Sequence, residues 1–416
     1  MTRVETMSSV LSTGDTVTLR VLTFASHYLP AFKAGGPPRS ISNLVHALSS
    51  DFDFLIVTRD RDLGDLEPYP HFPRDVWVDG ESGRVMYLSP TRRRLMLMAR
   101  LIRETPHDVL FLNSVFDAAY TLQPLIARRM GMVPARPTII APRGEFGSGA
   151  LALKGARKTL YLGAAQRLGL FENALWMASS AREAEDIHAA LGIDPESIAV
   201  ASDLADANMA VQSGPPERAP GAPLRIIFLA RISPMKNLEY ALDLLSGMGD
   251  LPLTLDVVGP CSDPGYLRML QRRAEQMPSQ IRVKFAGEVK PEQVRTTLTR
   301  YDLMLLPTRG ENFGHVILES LQAGTPVLIS DRTPWRTTPD GACLTVSLDE
   351  PDEFRRIIRQ RMMASSQEQA RLRAAARLHA ARFSEDPSHK AANRALFIRA
   401  AAQDRAPTIV KSTTPG

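Results

Sequence analysis

Short apolar runs alternate with amphipathic segments of helical period, and the alternation occurs in two series. The first series has apolar runs at Thr18–Ser26, Phe52–Thr58, Arg84–Ser89, Asp108–Leu112, Thr138–Ala141, Ala174–Ala178 and Ile198–Ala201. Helical patterns fall at Arg39–Ser49, Arg92–Arg103, Asp117–Arg129, Lys154–Leu168 and Ala181–Leu191. Runs that are apolar throughout predict strands buried on both faces, and strand–helix–strand order implies right-handed crossovers in a parallel sheet. The second series repeats the pattern with runs at Leu224–Ala230, Leu253–Gly259, Ile281–Ala286, Tyr301–Pro307 and Val327–Ser330, a weaker one at Leu344–Val346, and then helices to Ala401. Between the series, Gln212–Pro223 holds six prolines or glycines in twelve residues and no apolar period, which reads as a linker. The expected architecture is α/β, with two doubly wound domains at 18–211 and 224–384 joined by linker 212–223. A flexible N-terminus (1–17), a C-terminal helix (385–405) packing back on the first domain and a disordered tail (406–416) complete it.

At 416 residues the chain has length for two cores, and 44% hydrophobic with 23% charged residues excludes a disordered or fibrous class. No apolar run approaches the roughly 18–20 residues of a membrane span. The opening MTRVETMSSVLSTGD lacks the apolar centre of a signal peptide, and two isolated cysteines, Cys261 and Cys343, make no disulfide framework or metal set. A cytoplasmic protein is expected. The net charge of +5 gathers in arginines such as Arg92–Arg94, Arg100, Arg103 and Arg128–Arg129. Without an aromatic-interleaved basic repeat or a recognition helix, nucleic acid is not an expected partner; an anionic membrane surface or lipid-linked substrate suits the charge more economically. Arg92–Arg103 is compatible both with a core-facing helix and with one lying on the inner membrane face.

The chemistry concentrates in Thr308–Pro334, where Glu311 and Glu319 stand seven intervening residues apart and a helical pattern starts at Gly314. A strand, a glycine-containing loop and a helix start aim free N–H groups and the positive helix end at an anion. Carboxylates beside phosphate repel it, so Glu311 and Glu319 are expected to bind sugar hydroxyls. After the first strand of the second series, Arg231 and Lys236 lie five residues apart before a helix that Asn237 is expected to cap. An arginine fork and a mobile lysine charge together suit a diphosphate. In the first series Gly35-Gly36-Pro37-Pro38 gives a strand-to-helix turn that lets backbone approach a ligand. Pro142–Gly147 carries Arg143 and Glu145 at a strand end, for a phosphate and a sugar hydroxyl respectively, or simply as a surface ion pair.

ARISPMKN together with GENFGHVILESLQAGTPVLISDRTPW is similar to the most specific region of the family 4 retaining glycosyltransferases, whose fold is the two-Rossmann-domain GT-B. GGPPRS and APRGEFGSGALALKGARKTLYL resemble the branch that assembles bacterial polysaccharides and lipid-linked glycans. The resemblance spans Leu19 to about Ala381. It implies that Arg231 and Lys236 hold the donor diphosphate, with Gly35 and Gly36 approaching from across the cleft. Glu311, beside Asn312, would bind the donor sugar, and the N–H groups of Phe313, Gly314 and His315 the sugar or distal phosphate. Glu319 would bind the ribose. Arg231, Lys236, Glu311 and Arg143 are the expected catalytic set, with Glu145 as an acceptor or sugar contact and no divalent metal or other cofactor. Many members carry a histidine where this chain has Arg143-Gly144-Glu145, and the Asn-Gly common near the end of the first domain is missing around Ser202–Asp206. The implied reaction moves a hexosyl group from a nucleotide-diphosphate sugar to a hydroxyl of a glycan or polyprenyl-linked acceptor. The alternatives are an inactive sugar-nucleotide or glycan-binding subunit, or an epimerase or phosphorylase on the same scaffold.

Overall fold

Strand β1 (Leu19–Ala25) shows why the apolar runs become central strands: Val21, Leu22 and Phe24 are fully buried, which requires cover on both faces of the sheet. The computed structural model describes residues 18–147, 155–206, 218–219 and 221–403. Residues 1–17 and 406–416, Lys154, and 212–217 and 220 of the expected linker lie outside the described residues.

After β1 come α1 (Gly36–Leu48), β2 (Phe52–Arg59), β3 (Trp77–Asp79), β4 (Arg84–Leu88), α2 (Leu95–Glu104), β5 (Val109–Asn113) and α3 (Gln123–Arg129). Then follow β6 (Thr138–Ala141), α4 (Gly155–Arg167), β7 (Ala174–Ala178), α5 (Ala181–Leu191) and β8 (Ile198–Val200). The sheet order is β3-β4-β2-β1-β5-β6-β7-β8, parallel except for β3, which runs antiparallel to β4. Strand β3 is absent from the sequence reading because three residues carry no period; Gly80 and Gly83 close its hairpin, N–H to O at 2.8 Å. Helix α2 starts at Leu95, after a 3₁₀ turn at Pro90–Arg92, with Met98, Ala99 and Ile102 buried and Met96 exposed. The expected helix from Asp117 opens with a π turn, Ala118–Leu122, whose first amides Asp117 caps at 2.9 and 2.8 Å. Pro124, having no N–H, cannot supply a regular helical bond at this point.

The second domain is a six-stranded, wholly parallel sheet. It comprises β9 (Leu224–Leu229), α6 (Leu238–Ser246), β10 (Leu253–Val258), α7 (Pro264–Glu275), β11 (Ile281–Gly287) and α8 (Val294–Leu298). It continues through β12 (Leu303–Leu306), α9 (His315–Gln322), β13 (Val327–Ser330), β14 (Cys343–Val346), α10 (Pro351–Met363) and α11 (Ser366–Glu385). The order is β11-β10-β9-β12-β13-β14. In both sheets the chain reverses direction of growth beside its first strand, between β1 and β5 and between β9 and β12. Open α/β sheets bind ligands outside the carboxyl ends of strands at such reversals.

The last helix, α12 (Pro387–Gln403), packs on the first sheet. Fully buried Phe397 sits among Phe52, Phe54 and Phe111, with ring centroids 5.3, 5.8 and 5.3 Å away. Asn393 Nδ2 donates to Ser202 O at 2.8 Å, and Arg394 meets Asp51 at 2.7 Å. Removing the ring leaves a cavity among three aromatics, so Phe397→Ala should destabilise the first domain by about 3–5 kcal/mol. A urea unfolding curve followed by the fluorescence of Trp176, in a Trp77→Phe, Trp335→Phe background, checks it, and an unchanged midpoint would contradict this packing.

Candidate active site at the interdomain cleft

Because β9 and β12 pair in parallel, their carboxyl-end loops lie side by side. Asn237 stitches them: it holds a left-handed backbone (φ 60°) and its Nδ2 donates to Pro307 O at 2.9 Å. The expected cap is therefore corrected, since no side-chain bond from Asn237 reaches the start of α6. Arg309 N–H and Thr308 Oγ1 both donate to Met235 O, at 2.8 and 3.1 Å. This brings Lys236 to Glu311, Nζ to Oε2 at 2.5 Å, with both side chains largely buried.

Beyond Glu311 the loop is fastened by apolar contact. Phe313 is buried against Trp335 and Phe383, centroids 5.8 and 5.5 Å away, and Trp335 Nε1 donates to Phe313 O at 2.6 Å. Gly314 then turns the chain into α9 at φ 83°; a Cβ there would come 2.7 Å from Ile317 Cδ1 and 2.9 Å from Glu311 Cγ. Among the described residues, the N–H groups of Phe313, Gly314 and His315 have no acceptor, as expected where a helix begins. They form a small donor cluster beside Lys236 and Glu311.

The first domain closes over this end of α9. Gly35 has φ 87°, and a Cβ on it would lie 3.3 Å from Arg231 Nε; one on Gly36 would lie 3.5 Å from His315 Cδ2. The glycine pair thus marks one place where the two domains approach closely. One turn into α1, Arg39 forms an ion pair with Glu319, and Ser40 Oγ lies 2.7 Å from His315 Nε2. Asn312 reaches across to first-domain Ser179 and Glu183; the amide orientation that satisfies all three puts its nitrogen 3.0 Å from Glu183 Oε2. Gly144 makes room for it, since a Cβ at that position would stand 2.8 Å from Asn312 Cβ.

Two expected site residues have other employment. Arg143 is almost wholly buried, donating to Asp203 Oδ1 at 2.7 Å and to Asn113 Oδ1 at 3.1 and 2.9 Å, so its guanidinium is committed inside the first domain. Glu145 accepts from Ser114 Oγ at 2.8 Å and from the amides of Val115 and Phe116 at 2.6 and 3.3 Å. Burial pushes the Glu145 pKa up and those donors oppose it. It pins the loop after β5. Sequence reasoning missed Ser40, Asn113, Glu183 and Asp203. Ser40 was within the GGPPRS motif, whereas Asp203 sat where the family pattern was absent and carried no signal.

His315 has its pKa lowered to about 4 by burial, with Arg39 and Arg143 adding to the effect and Asp203 opposing it. Glu183 is pushed up by burial against the opposing donors Ser179 N–H, Gly144 N–H and Ser179 Oγ. A separate concavity of about 830 Å³ lies at the β14 edge, among Thr337, Asp349, Arg356 and Arg371, and shares no residue with the cleft. Among the described residues no group of three or more His, Cys, Asp or Glu is placed to hold a metal, and no helix is long and apolar enough to cross a membrane.

The architecture is the GT-B fold, two Rossmann-like domains facing a cleft. Residues 215–376, essentially the second domain, match the family model "Glycosyl transferases group 1". The chain is 29% identical over 237 residues to a D-inositol 3-phosphate glycosyltransferase of Jonesia denitrificans, and 30% identical over 168 residues to the one of Rhodococcus erythropolis. These matches span 52% and 37% of this chain and 54% and 38% of the relatives, so the likeness covers about half or less of either length. Among solved structures, the sucrose-phosphate synthase of Thermosynechococcus elongatus superposes with TM-score 0.70 at 17% identity, over 92% of this chain and 100% of that one. HepE of Anabaena, solved in complex with UDP and glucose, gives 0.66 at 15% over the same shares.

Within the loop that leads into α9, Gly314 tolerates little side-chain volume. Gly314→Ala combines a left-handed backbone with two sub-van der Waals contacts and should cost about 1–3 kcal/mol of second-domain stability. Chemical denaturation checks it; a neutral outcome would mean that the loop relaxes freely.

Proposed function

We propose that this protein is a retaining glycosyltransferase that moves a hexosyl group from a nucleotide-diphosphate sugar to a hydroxyl of a glycan or lipid-linked acceptor. The observation that carries the reading is the meeting, at one cleft, of Arg231 and Lys236 with the amino end of α9, with Glu311 in the loop before it and Glu319 within it, opposite Gly35 and Gly36. Cations and unpartnered N–H groups suit the diphosphate, the group on which negative charge develops as the sugar leaves. Carboxylates suit hydroxyls: Glu311 for the sugar, Glu319 for the ribose. The group 1 family match over the second domain and the UDP-bound neighbour of the same fold support a sugar-nucleotide donor.

On this reading the acceptor hydroxyl attacks the anomeric carbon from the face the diphosphate leaves. The carbon–oxygen bond to phosphate breaks, a carbon–oxygen bond to the acceptor forms on the same face, and the acceptor proton passes to the departing phosphate oxygen. Lys236 has to exchange part of its contact with Glu311 for phosphate oxygens, which frees Glu311 to accept from sugar hydroxyls. Arg39 bears the same relation to Glu319 and the ribose. Cleft closure excludes water that would otherwise hydrolyse the donor. We place the reaction in the cytoplasm, with peripheral membrane contact through the exposed arginines and Met96 around α2.

A thermal-shift panel of UDP, GDP and their sugars tests donor binding, since a ligand at about 100 times its Kd stabilises the folded chain by about 2.7 kcal/mol. Transfer or donor hydrolysis should fall about 100-fold or more in Lys236→Ala, and about 10- to 100-fold in Glu319→Ala. Undiminished activity in both variants would overturn the proposal. Donor binding without turnover across a range of acceptors would favour an inactive binding subunit instead.

A further inference from the structure

The cross-cleft partners of His315 belong to neither the donor contacts nor the core. Ser40 Oγ donates to Asp203 Oδ2 at 2.6 Å, so its oxygen is left to accept from His315 Nε2–H at 2.7 Å. Asp203 is held in turn by Arg143 Nη1 at 2.7 Å, and Arg143 by Asn113. Asp203 Oδ2 stands 3.8 Å from His315 Nε2. Arg143, Asp203 and the His315 side chain are all at most 9% exposed. Ser40, Asp203 and Arg143 come from three separate parts of the first domain, and His315 is the first residue of α9 in the second.

We infer that Ser40, Asp203 and Arg143 form a first-domain receptacle for neutral His315, and that this contact positions the amino end of α9 in the closed cleft. It goes beyond the proposed activity, assigning side chains that touch neither diphosphate nor sugar. The arrangement demands a donor at Nε2 and a neutral ring. Arg143, Asp203 and Ser40 already form a saturated chain, so a second proton on the imidazole would bring a buried charge beside Arg143 and Arg39. The charged groups facing the ring are Asp203 beyond β8, Arg143 beyond β6 and Arg39 in α1, the last paired with Glu319 of α9; Glu183 adjoins Asn312.

The sign of the pH effect follows. In an open cleft the imidazole is solvated and titrates near its ordinary value of about 6.5. In the closed cleft its pKa is lowered to about 4. The closed state therefore binds fewer protons, and closure is fully favoured above about pH 6.5 and lost progressively as pH falls towards 4. Between pH 7.5 and 5.5 the closed-to-open ratio should drop about tenfold.

Closure is read without any substrate by pulsed electron paramagnetic resonance between spin labels at Arg103→Cys and Arg272→Cys, in a Cys261→Ser background. The expected result is a dominant short distance at pH 7.5, with the long-distance population rising about tenfold relative to it at pH 5.5. Ser40→Ala and Asp203→Asn should open the cleft already at pH 7.5; Ser40→Ala keeps the test valid where loss of the Asp203 charge impairs folding. His315→Gln retains an N–H donor without a titrating ring, so it should stay closed at both pH values, whereas His315→Leu should be open at both. A His315→Leu protein as closed as His315→Gln, or a wild-type distance distribution unaffected by acid, would overturn the inference. Calorimetric titration with UDP and with GDP is scored separately: failure of both to bind counts against the donor reading and leaves the distance measurement standing.

Discussion

The rest of the molecule depends on the polar contact between the first turn of α1 and the first turn of α9. Ser40 with His315, and Arg39 with Glu319, bring the carboxyl ends of two parallel sheets together, so that loops from β1, β6, β9 and β12 share one cleft. The two domains are also joined through α12, and the two attachments differ in kind. Phe397 is locked among three aromatic rings of the first sheet, an apolar contact whose loss leaves a cavity. The cleft contacts are hydrogen bonds and partly exposed ion pairs, each with a net worth of about 0.5–1.5 kcal/mol because water replaces them when they part. A strong apolar tether and a weak polar face make a joint in which the face can open while the tether holds.

Two glutamates of the cleft each meet a cation. Glu311 holds Lys236 and Glu319 holds Arg39. Pairing these opposite charges avoids the cost of leaving either one buried alone. On the proposed reading a sugar nucleotide substitutes for both pairings at once, because it brings negative phosphates for the cations and hydroxyls for the carboxylates. A bare phosphate would satisfy the cations and leave two carboxylates without partners. Discrimination between a sugar nucleotide and inorganic phosphate then comes from the unpaired groups left behind, the mechanism by which polar sites reject incomplete ligands.

Much of this was legible in the sequence, and the unread part has a common cause. Strand positions were readable because burial on both faces demands unbroken apolar runs, as in Phe52–Arg59 and Val327–Ser330. Arg231, Lys236 and Glu311 stood out because charged residues in loops after such runs have few structural reasons to be there, and Glu319 because it lies in the helix that such a loop opens; the structure pairs Lys236 with Glu311 and Arg39 with Glu319. Arg143 and Glu145 satisfied the same description, yet they anchor the loops internally. Loops at strand ends need both ligands and fasteners, and the two draw on the same residue types. What distinguishes them is the partner: Asp203 lies sixty positions from Arg143, and Ser40 is separated from His315 by 275. Periodicity reports which residues are buried but not what they meet across a cleft. Asn237 illustrates the smaller version of the same limit, its amide taken by Pro307 rather than by the helix it precedes.

The glycine pair of the first domain acquires a more specific meaning from these contacts. Gly35 faces the Arg231 guanidinium and Gly36 faces the His315 ring, both at distances that a side chain would fill. The first domain therefore presents bare backbone to the Arg231 loop and the amino end of α9, while its charges, Arg39 and Arg143, sit one turn along or behind. A domain that placed a cation at Gly35 would compete with Arg231 for the same space and repel it. By contributing absence of side chain at that point, the first domain lets α9 and the Arg231 loop approach α1 closely enough for His315 to reach Ser40. The two glycines and the polar receptacle behind them are thus parts of one requirement, that the positive end of α9 face a cleft closed by backbone instead of by charge.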